Sequence, residues 1–217
     1  MDIHVQPRAV EQGIRAVLKE AMFKQLLFVE TVKLHITLYS FNPREDKGFG
    51  GAIRLKHAPK FSFQVCVLGD EEHCEEAKAI GLSCRTKESI LRMSKNKKRL
   101  RMFPKKYDAF LASPSLYEEI PAEVQKYLAA SRREPVLITH EESMQAKVEE
   151  VKHVVFFTPI ERSVITATVG NVKMTREKLL ENVCTVVESL DAHLNGKWAN
   201  VQNLHIKSCK GNACQIY

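Results

Sequence analysis

Two strand patterns follow each other along this chain, and their order constrains the fold. Between residues 32 and 39, Val, Leu and Ile alternate with polar residues, which predicts a strand with one buried face. Residues 61–68 instead form a nearly continuous apolar run before Gly69-Asp70, which is typical of a parallel strand buried on both faces. The first pattern returns after residue 153. We therefore predict a parallel α/β segment inserted between two halves of another mixed domain.

Sequence periodicity predicts helices and strands in all three segments. The first segment has a helix over 8–23, strands at 32–39 and 53–55, and a loop at 42–48. The middle segment has strands at 61–68, 109–112 and 136–139, and helices at 73–80, 87–94 and from Pro121. The last segment has strands at 154–157 and 163–169, a helix over 179–194 that ends at Asn195-Gly196, and a strand around Leu204 and Ile206. The first segment, with one helix and two strands, is too small to form a hydrophobic core by itself. Residues 1–60 and 153–217 are therefore predicted to form one discontinuous domain around residues 61–152.

Several classes of protein are excluded at this stage. No apolar run approaches the roughly 20 residues that span a bilayer, and the acidic N-terminus lacks the apolar stretch of a secretory signal. Six cysteines without such a signal indicate reduced thiols, and their spacing does not fit a zinc site. We expect no membrane association and no metal. Cys66 and Cys184 are predicted to be buried as small apolar side chains.

The sequence contains no recognisable set of catalytic residues. The segment Gly48-Phe49-Gly50-Gly51 precedes a strand, whereas phosphate-binding glycine motifs follow one. His140 lies beside two carboxylates, as a general base could. Thr139 with Glu142 three residues later is better explained as a capping box at a helix N-terminus. We therefore predict no enzymatic activity and no cofactor.

Positive charge is unevenly distributed along the chain. The sequence has 33 Lys and Arg against 26 Asp and Glu, a formal net charge of +7, and a pI near 9.1. Residues 61–152 hold 16 basic and 15 acidic residues, so the flanking segments hold 17 and 11. A basic run at 95–106 is either a phosphate-contacting patch or a solvated face that nearby carboxylates neutralise. The near-neutral charge of its segment favours the solvated face.

Several segments match one protein family in order along nearly the whole chain. They are Phe28-Val29-Glu30-Thr31-Val32-Lys33-Leu34, Val65-Cys66-Val67-Leu68-Gly69-Asp70 with His73-Cys74 and Glu76-Ala77-Lys78-Ala79, Asn96-Lys97-Lys98, Lys106-Tyr107-Asp108-Ala109-Phe110-Leu111-Ala112-Ser113, Leu137-Ile138-Thr139-His140-Glu141, Val169-Gly170-Asn171-Val172-Lys173-Met174-Thr175, and Ile206-Lys207-Ser208 with Tyr217. In these segments the chain resembles the L-one family of large-subunit ribosomal proteins, and most closely its eukaryotic branch.

The resemblance implies both a fold and a function. The discontinuous domain, 1–60 and 153–217, would have a split β-α-β fold (ferredoxin-like or RRM-like) and be the main rRNA binder. The insert, 61–152, would be a three-layer, Rossmann-like α/β domain. The implied protein is a non-enzymatic constituent of the cytosolic large ribosomal subunit, on the mobile stalk beside the exit site. Its implied partners are stalk rRNA helices and, transiently, the exit-site tRNA, whose deacylated form it helps to release.

The resemblance also implies where RNA binds. Family contacts cluster at the start of the first strand and at a turn near the C-terminus, so they transfer to Phe28, Glu30 and Thr31 and to Ser208-Cys209-Lys210-Gly211. Cys209 and Lys210 replace the family Thr and Met, and Lys210 adds a cation for phosphate. For Phe28, packing in the core is the alternative. The further predicted rRNA contacts are Lys33, Arg54, Gly170, Lys173 and Lys207.

Two other points qualify the resemblance. The family has a Gly/Pro/Asn/Lys-rich segment at residues 121–135, whereas this chain has a helical pattern there. The alternative function is a small cytosolic α/β enzyme that binds a nucleotide at the strand ends of the insert. Its only support is Val67-Leu68-Gly69-Asp70.

Overall fold

The structure, a computed structural model, describes residues 5–40, 51–131, 133–139, 141–161, 163–195 and 197–217. The predicted loop at 42–48, most of the glycine segment at 48–51, His140 and Gly196 lie outside these residues. The chain divides into two compact units. Met1–Phe61 with Lys152–Tyr217 form the discontinuous unit, and Ser62–Val151 form the inserted unit.

The described residues contain helices and strands in both units. In chain order they are α1 (Pro7–Lys24), β1 (Thr31–Leu38), β2 (Ala52–Arg54), β3 (Val65–Leu68), α2 (Glu71–Ala79), β4 (Ser83–Arg85), α3 (Lys87–Ser94), α4 (Lys97–Lys106), β5 (Ala109–Ala112), α5 (Pro114–Glu119), α6 (Ala122–Ala130), β6 (Val136–Leu137), α7 (Met144–Lys152), β7 (Val154–Phe156), β8 (Thr158–Glu161), β9 (Val164–Asn171), α8 (Arg176–His193), β10 (Val201–Ser208) and β11 (Cys214–Gln215). The predicted α/β fold class is confirmed.

A five-stranded antiparallel sheet organises the discontinuous unit. Its order is β11-β10-β1-β9-β8, and β2 pairs with β7 in a separate two-stranded sheet. Alternate residues of β1 are buried, as the sequence pattern predicts, and they share one hydrophobic core with residues of helices α1 and α8. The other face of β1 is partly exposed. β11 was not predicted, because it has only two residues.

A four-stranded parallel sheet, ordered β4-β3-β5-β6, organises the inserted unit. Every residue of β3 and β5 is buried, which confirms that these are strands covered on both faces, although β3 begins at Val65 and not at the predicted residue 61. One set of buried residues joins the sheet to α3–α6, and another joins it to α2 and α7. The predicted third buried strand is instead a two-residue edge strand, Val136–Leu137, with both side chains exposed.

Two local predictions are wrong, and helix α4 was not predicted. The capping box at Thr139 is absent, since α7 begins at Met144 and Ser143 Oγ accepts the amide of Ala146 at 3.5 Å. Cys184 is only half-buried, whereas Cys66 is buried and burial raises the pKa of its thiol to about 12. The basic run forms α4, which was not predicted. Helix α6 confirms the helical pattern after Pro121.

Candidate nucleic-acid interface

Three strand termini meet at one end of the five-stranded sheet, and together we call them the sheet end. Thr31 begins β1 and lies opposite Asn171 at the end of β9. On its other side, the Thr31 carbonyl accepts the amide of Cys209, which follows β10, at 3.0 Å. This pairing brings residues 28–33, 170–173 and 207–211 together, although they lie far apart in sequence.

Glu30 anchors the turn that follows β10. Its side chain is buried, and one carboxylate oxygen accepts both Ser208 Oγ at 2.9 Å and the backbone amide of Lys210 at 2.8 Å. Such hydrogen bonds to a charged acceptor are stronger than neutral ones. Glu30 was predicted as an rRNA contact. Its buried carboxylate instead fixes the position of this turn through the two hydrogen bonds.

A second carboxylate holds the other side of the same turn. Glu20, on α1, accepts the backbone amide of Asn212 at 2.8 Å and its side-chain amide at 3.0 Å, and pairs with Lys24 at 2.7 Å. The bond from Lys24 and the amide of Asn212 lower the pKa of Glu20. Lys24 also donates to the carbonyl of Lys210 at 2.6 Å. None of this was predicted, because only the i,i+4 spacing of Glu20 and Lys24 is visible in the sequence.

We call residues 208–212, which Glu30 and Glu20 hold, the anchored turn. Its backbone is hydrogen-bonded, and two of its side chains are exposed. Both the amide and the carbonyl of Lys210 are hydrogen-bonded, so its exposed cation extends from an ordered backbone. The exposed Cys209 has its sulfur 3.2 Å from Thr31 Oγ1. Gly211 has no room for a side chain, since a Cβ would lie 2.4 Å from Ser208 Oγ and 3.0 Å from a Glu20 oxygen.

The other predicted contacts lie in different surroundings. Phe28 is 53% exposed beside the sheet end, which excludes core packing for its ring. Gly170 is buried, and a Cβ there would lie 2.4 Å from Leu179, so close packing explains this glycine. Lys173 lies over the Phe61 ring, with its Nζ 4.4 Å from the centroid. Arg54 lies in the two-stranded sheet opposite Val154, outside the sheet end.

A row of cationic and titratable side chains extends from the sheet end along the partly exposed sheet face. Lys33 lies directly opposite Lys207, and His35 opposite His205. Like charges at opposite positions destabilise a sheet. Burial, Lys207, Lys33 and His205, in that order, lower the pKa of His35. Within the described ranges none of these four side chains forms an ion pair, so this face retains a positive field that suits an anionic partner.

This field can be tested on the free protein. Replacing Lys207 by Gln removes a like charge beside His35, so the pKa of His35 should rise. Imidazole chemical shifts followed by NMR through a pH titration would measure it. A matched Lys19→Gln change, on α1 against the opposite face of the sheet, should leave the His35 pKa unchanged. An equal His35 pKa in the Lys207→Gln variant and the unaltered chain would contradict the proposed field.

The strand end of β3, which supported a nucleotide-binding alternative, has a local structural explanation. Asp70 caps α2 by accepting the amide of His73 at 3.2 Å, and its carboxylate lies 2.7 Å from His73 Nδ1. A Cβ on Gly69 would lie 2.6 Å from the Cβ of His73. Gly69 and Asp70 therefore fit helix packing and capping at this strand end.

The chain is similar to known proteins over nearly its whole length. The sequence model of the ribosomal protein L1p/L10e family matches residues 18–212. The chain is 40% identical to Large ribosomal subunit protein uL1 of Spodoptera frugiperda over 217 residues, which is 100% of both chains. It is 38% identical to the protein of that name from Drosophila melanogaster over 206 residues, 95% of each chain. With the Oryza sativa subsp. japonica protein of that name it shares 36% identity over 213 residues, 98% of this chain and 99% of the relative.

Proposed function

The chain belongs to the ribosomal protein L1p/L10e family, as its motifs indicated, and on this premise we propose that it is a constituent of the large ribosomal subunit. It binds rRNA of the mobile stalk through the sheet end of the discontinuous unit. In the cytosolic ribosome it lies beside the exit site, contacts the exit-site tRNA transiently and assists release of the deacylated tRNA. Its contribution is binding and movement, without catalysis.

The anchored turn is the observation that carries the rRNA-binding proposal. Structured RNA is recognised by its shape, phosphates and 2′-hydroxyl groups, which requires polar backbone and cations on an ordered surface. The turn supplies these because two carboxylates hold its backbone while Lys210 stays exposed. The excess positive charge of the flanking segments, 17 basic against 11 acidic residues, supports the same location.

The predicted site residues divide into contacts and supports. We assign direct RNA contact to the exposed or half-exposed groups of the sheet end and its adjoining face: Phe28, Thr31, Lys33, Lys207, Cys209 and Lys210. Glu30, Ser208, Gly211 and Gly170 act by holding or packing these elements. Lys173 stays a predicted contact beside the sheet end, and Arg54 a predicted contact in the separate two-stranded sheet.

The proposal predicts a specific effect for Lys210. A Lys210→Ala change should lower the salt dependence of RNA affinity by about one phosphate contact and leave the fold intact. Filter binding of a stalk rRNA fragment at several salt concentrations measures this slope. Lys19→Ala, which removes an exposed cation from α1, is the matched control.

Two outcomes of this titration count against the proposal. An unchanged slope in Lys210→Ala would remove Lys210 from the interface. Equal affinity of the unaltered chain for stalk rRNA and for unrelated duplex RNA would exclude specific rRNA binding. Tight nucleotide binding by a chain that shows no RNA preference would favour the enzyme alternative.

A further inference from the structure

The inserted unit contains an arginine-lined cleft that the proposed rRNA site does not use. It has a volume of about 290 Å³ and lies where β4 ends and α3 begins. Its polar lining consists of Arg85, Thr86, Glu88, Ser89, Arg92 and Arg99. Arg85 is the last residue of β4, Thr86 is the N-cap of α3, and Arg99 comes from α4. Three separate elements thus contribute to one cleft.

The charge of the cleft is positive and incompletely neutralised. Three arginines and a single acidic residue, Glu88, line the cleft, and Glu88 pairs with Arg92 at 3.1 Å. Both partners of that pair are about four-fifths exposed, so the pair is weak and screened by salt. Over the described residues, Arg85 and Arg99 form no ion pair, so the cleft keeps two cations available for an anion.

The guanidinium of Arg85 has hydrogen-bonding capacity that the described residues do not use. In the described part of the chain, the buried Nε–H of Arg85 has no hydrogen-bond partner, while its terminal nitrogen donates only a long bond, 3.4 Å, to Ser89 Oγ. Buried polar groups are nearly always paired, because leaving one unpaired costs free energy. The Nε–H itself is closed to solvent, so an anion in the cleft would be reached by the terminal nitrogens of Arg85, which in the described residues donate only that one long bond.

We propose that this cleft binds a phosphate group. Guanidinium groups match phosphate oxygens with two parallel hydrogen bonds, and phosphates commonly bind where a parallel strand ends and a helix begins. The phosphate belongs either to a free nucleotide or to an RNA backbone, since both present the same oxygens. The inference is independent of the rRNA site, because the cleft lies in the inserted unit and the anchored turn in the discontinuous one.

Two arginines on the same helix provide the test. Arg99 lines the cleft, and Arg101, which is also exposed, does not. The two positions lie ~200° apart around α4 because each residue turns the helix by ~100°. In the full chain, Arg99→Gln should weaken binding of inorganic phosphate and adenosine monophosphate roughly tenfold by calorimetry, whereas Arg101→Gln should leave both affinities unchanged. Gln is a good helix former, so both variants should retain the fold.

The same pair of variants distinguishes the source of the phosphate. If Arg99→Gln also lowers the salt slope for stalk rRNA by about one, the ligand is an RNA backbone phosphate. If it weakens only the nucleotide, the ligand is a free nucleotide. The proposal is overturned if inorganic phosphate and nucleotide do not bind, or if the two variants behave alike. Failure of the rRNA site instead appears in Lys210→Ala, so the two failures are distinguishable.

Discussion

Replacing Glu30 by Ala should lower affinity for stalk rRNA by roughly tenfold. Glu30 holds Ser208 and the amide of Lys210, and through them it orders residues 209–211. Ordering a residue costs ~1 kcal/mol or more. Without Glu30 the Lys210 carbonyl still accepts Lys24 and the Cys209 amide still donates to Thr31, so about 1–2 kcal/mol of ordering must come from binding, which corresponds to roughly tenfold in affinity.

The salt dependence separates this anchoring role from a direct contact. Because Glu30 brings no cation to RNA, Glu30→Ala should lower affinity at every salt concentration with nearly the same slope, whereas Lys210→Ala should change the slope. Ser208→Ala keeps the bond from the Lys210 amide, so its loss should be smaller. Affinity that rises in Glu30→Ala would show that the carboxylate only repels RNA, and would contradict anchoring.

The sequence predicts the alternating strand β1 and the buried strands β3 and β5 well, because their signals are local, whereas the third predicted buried strand is only the exposed edge strand β6. Val32 to Leu38 and Ala109 to Ala112 show their burial directly in the order of residue types. The basic helix α4 was not predicted although Leu100, Phe103 and Tyr107 have helical spacing and are buried. Pro104, which is disfavoured inside helices, and the surrounding cations obscured that pattern.

The candidate site could be located from the sequence but its supports could not. The family motifs identified both Glu30 and Ser208, yet their hydrogen bond joins residues 178 positions apart. The bonds between Glu20 and Asn212 span 192 positions. Contacts of this kind depend on how β1, β10 and α1 pack together. No spacing rule along one segment contains that information.

Asn182 is a further residue whose role appears only in the fold, and its replacement should cause the largest loss of stability. It lies fully buried on the apolar face of α8. Its side-chain amide donates to the carbonyls of His57 at 2.9 Å and Val169 at 2.8 Å, and its oxygen accepts the amide of His57 at 3.0 Å. All three partners are backbone groups, so α8 is joined to β9 and to the segment after β2.

An Asn182→Leu change keeps the approximate volume but leaves these three backbone groups without their partner. Since each buried unsatisfied group costs ~1–3 kcal/mol, we expect unfolding free energy to fall by about 3–5 kcal/mol. Trp198 is the single tryptophan and is buried in the same core, so its fluorescence in a urea titration reports this unit. Gln202→Leu, at an exposed amide, should change stability by less than about 0.5 kcal/mol. A loss below about 1 kcal/mol in Asn182→Leu would mean that His57 and Val169 find other partners, and that packing alone holds α8.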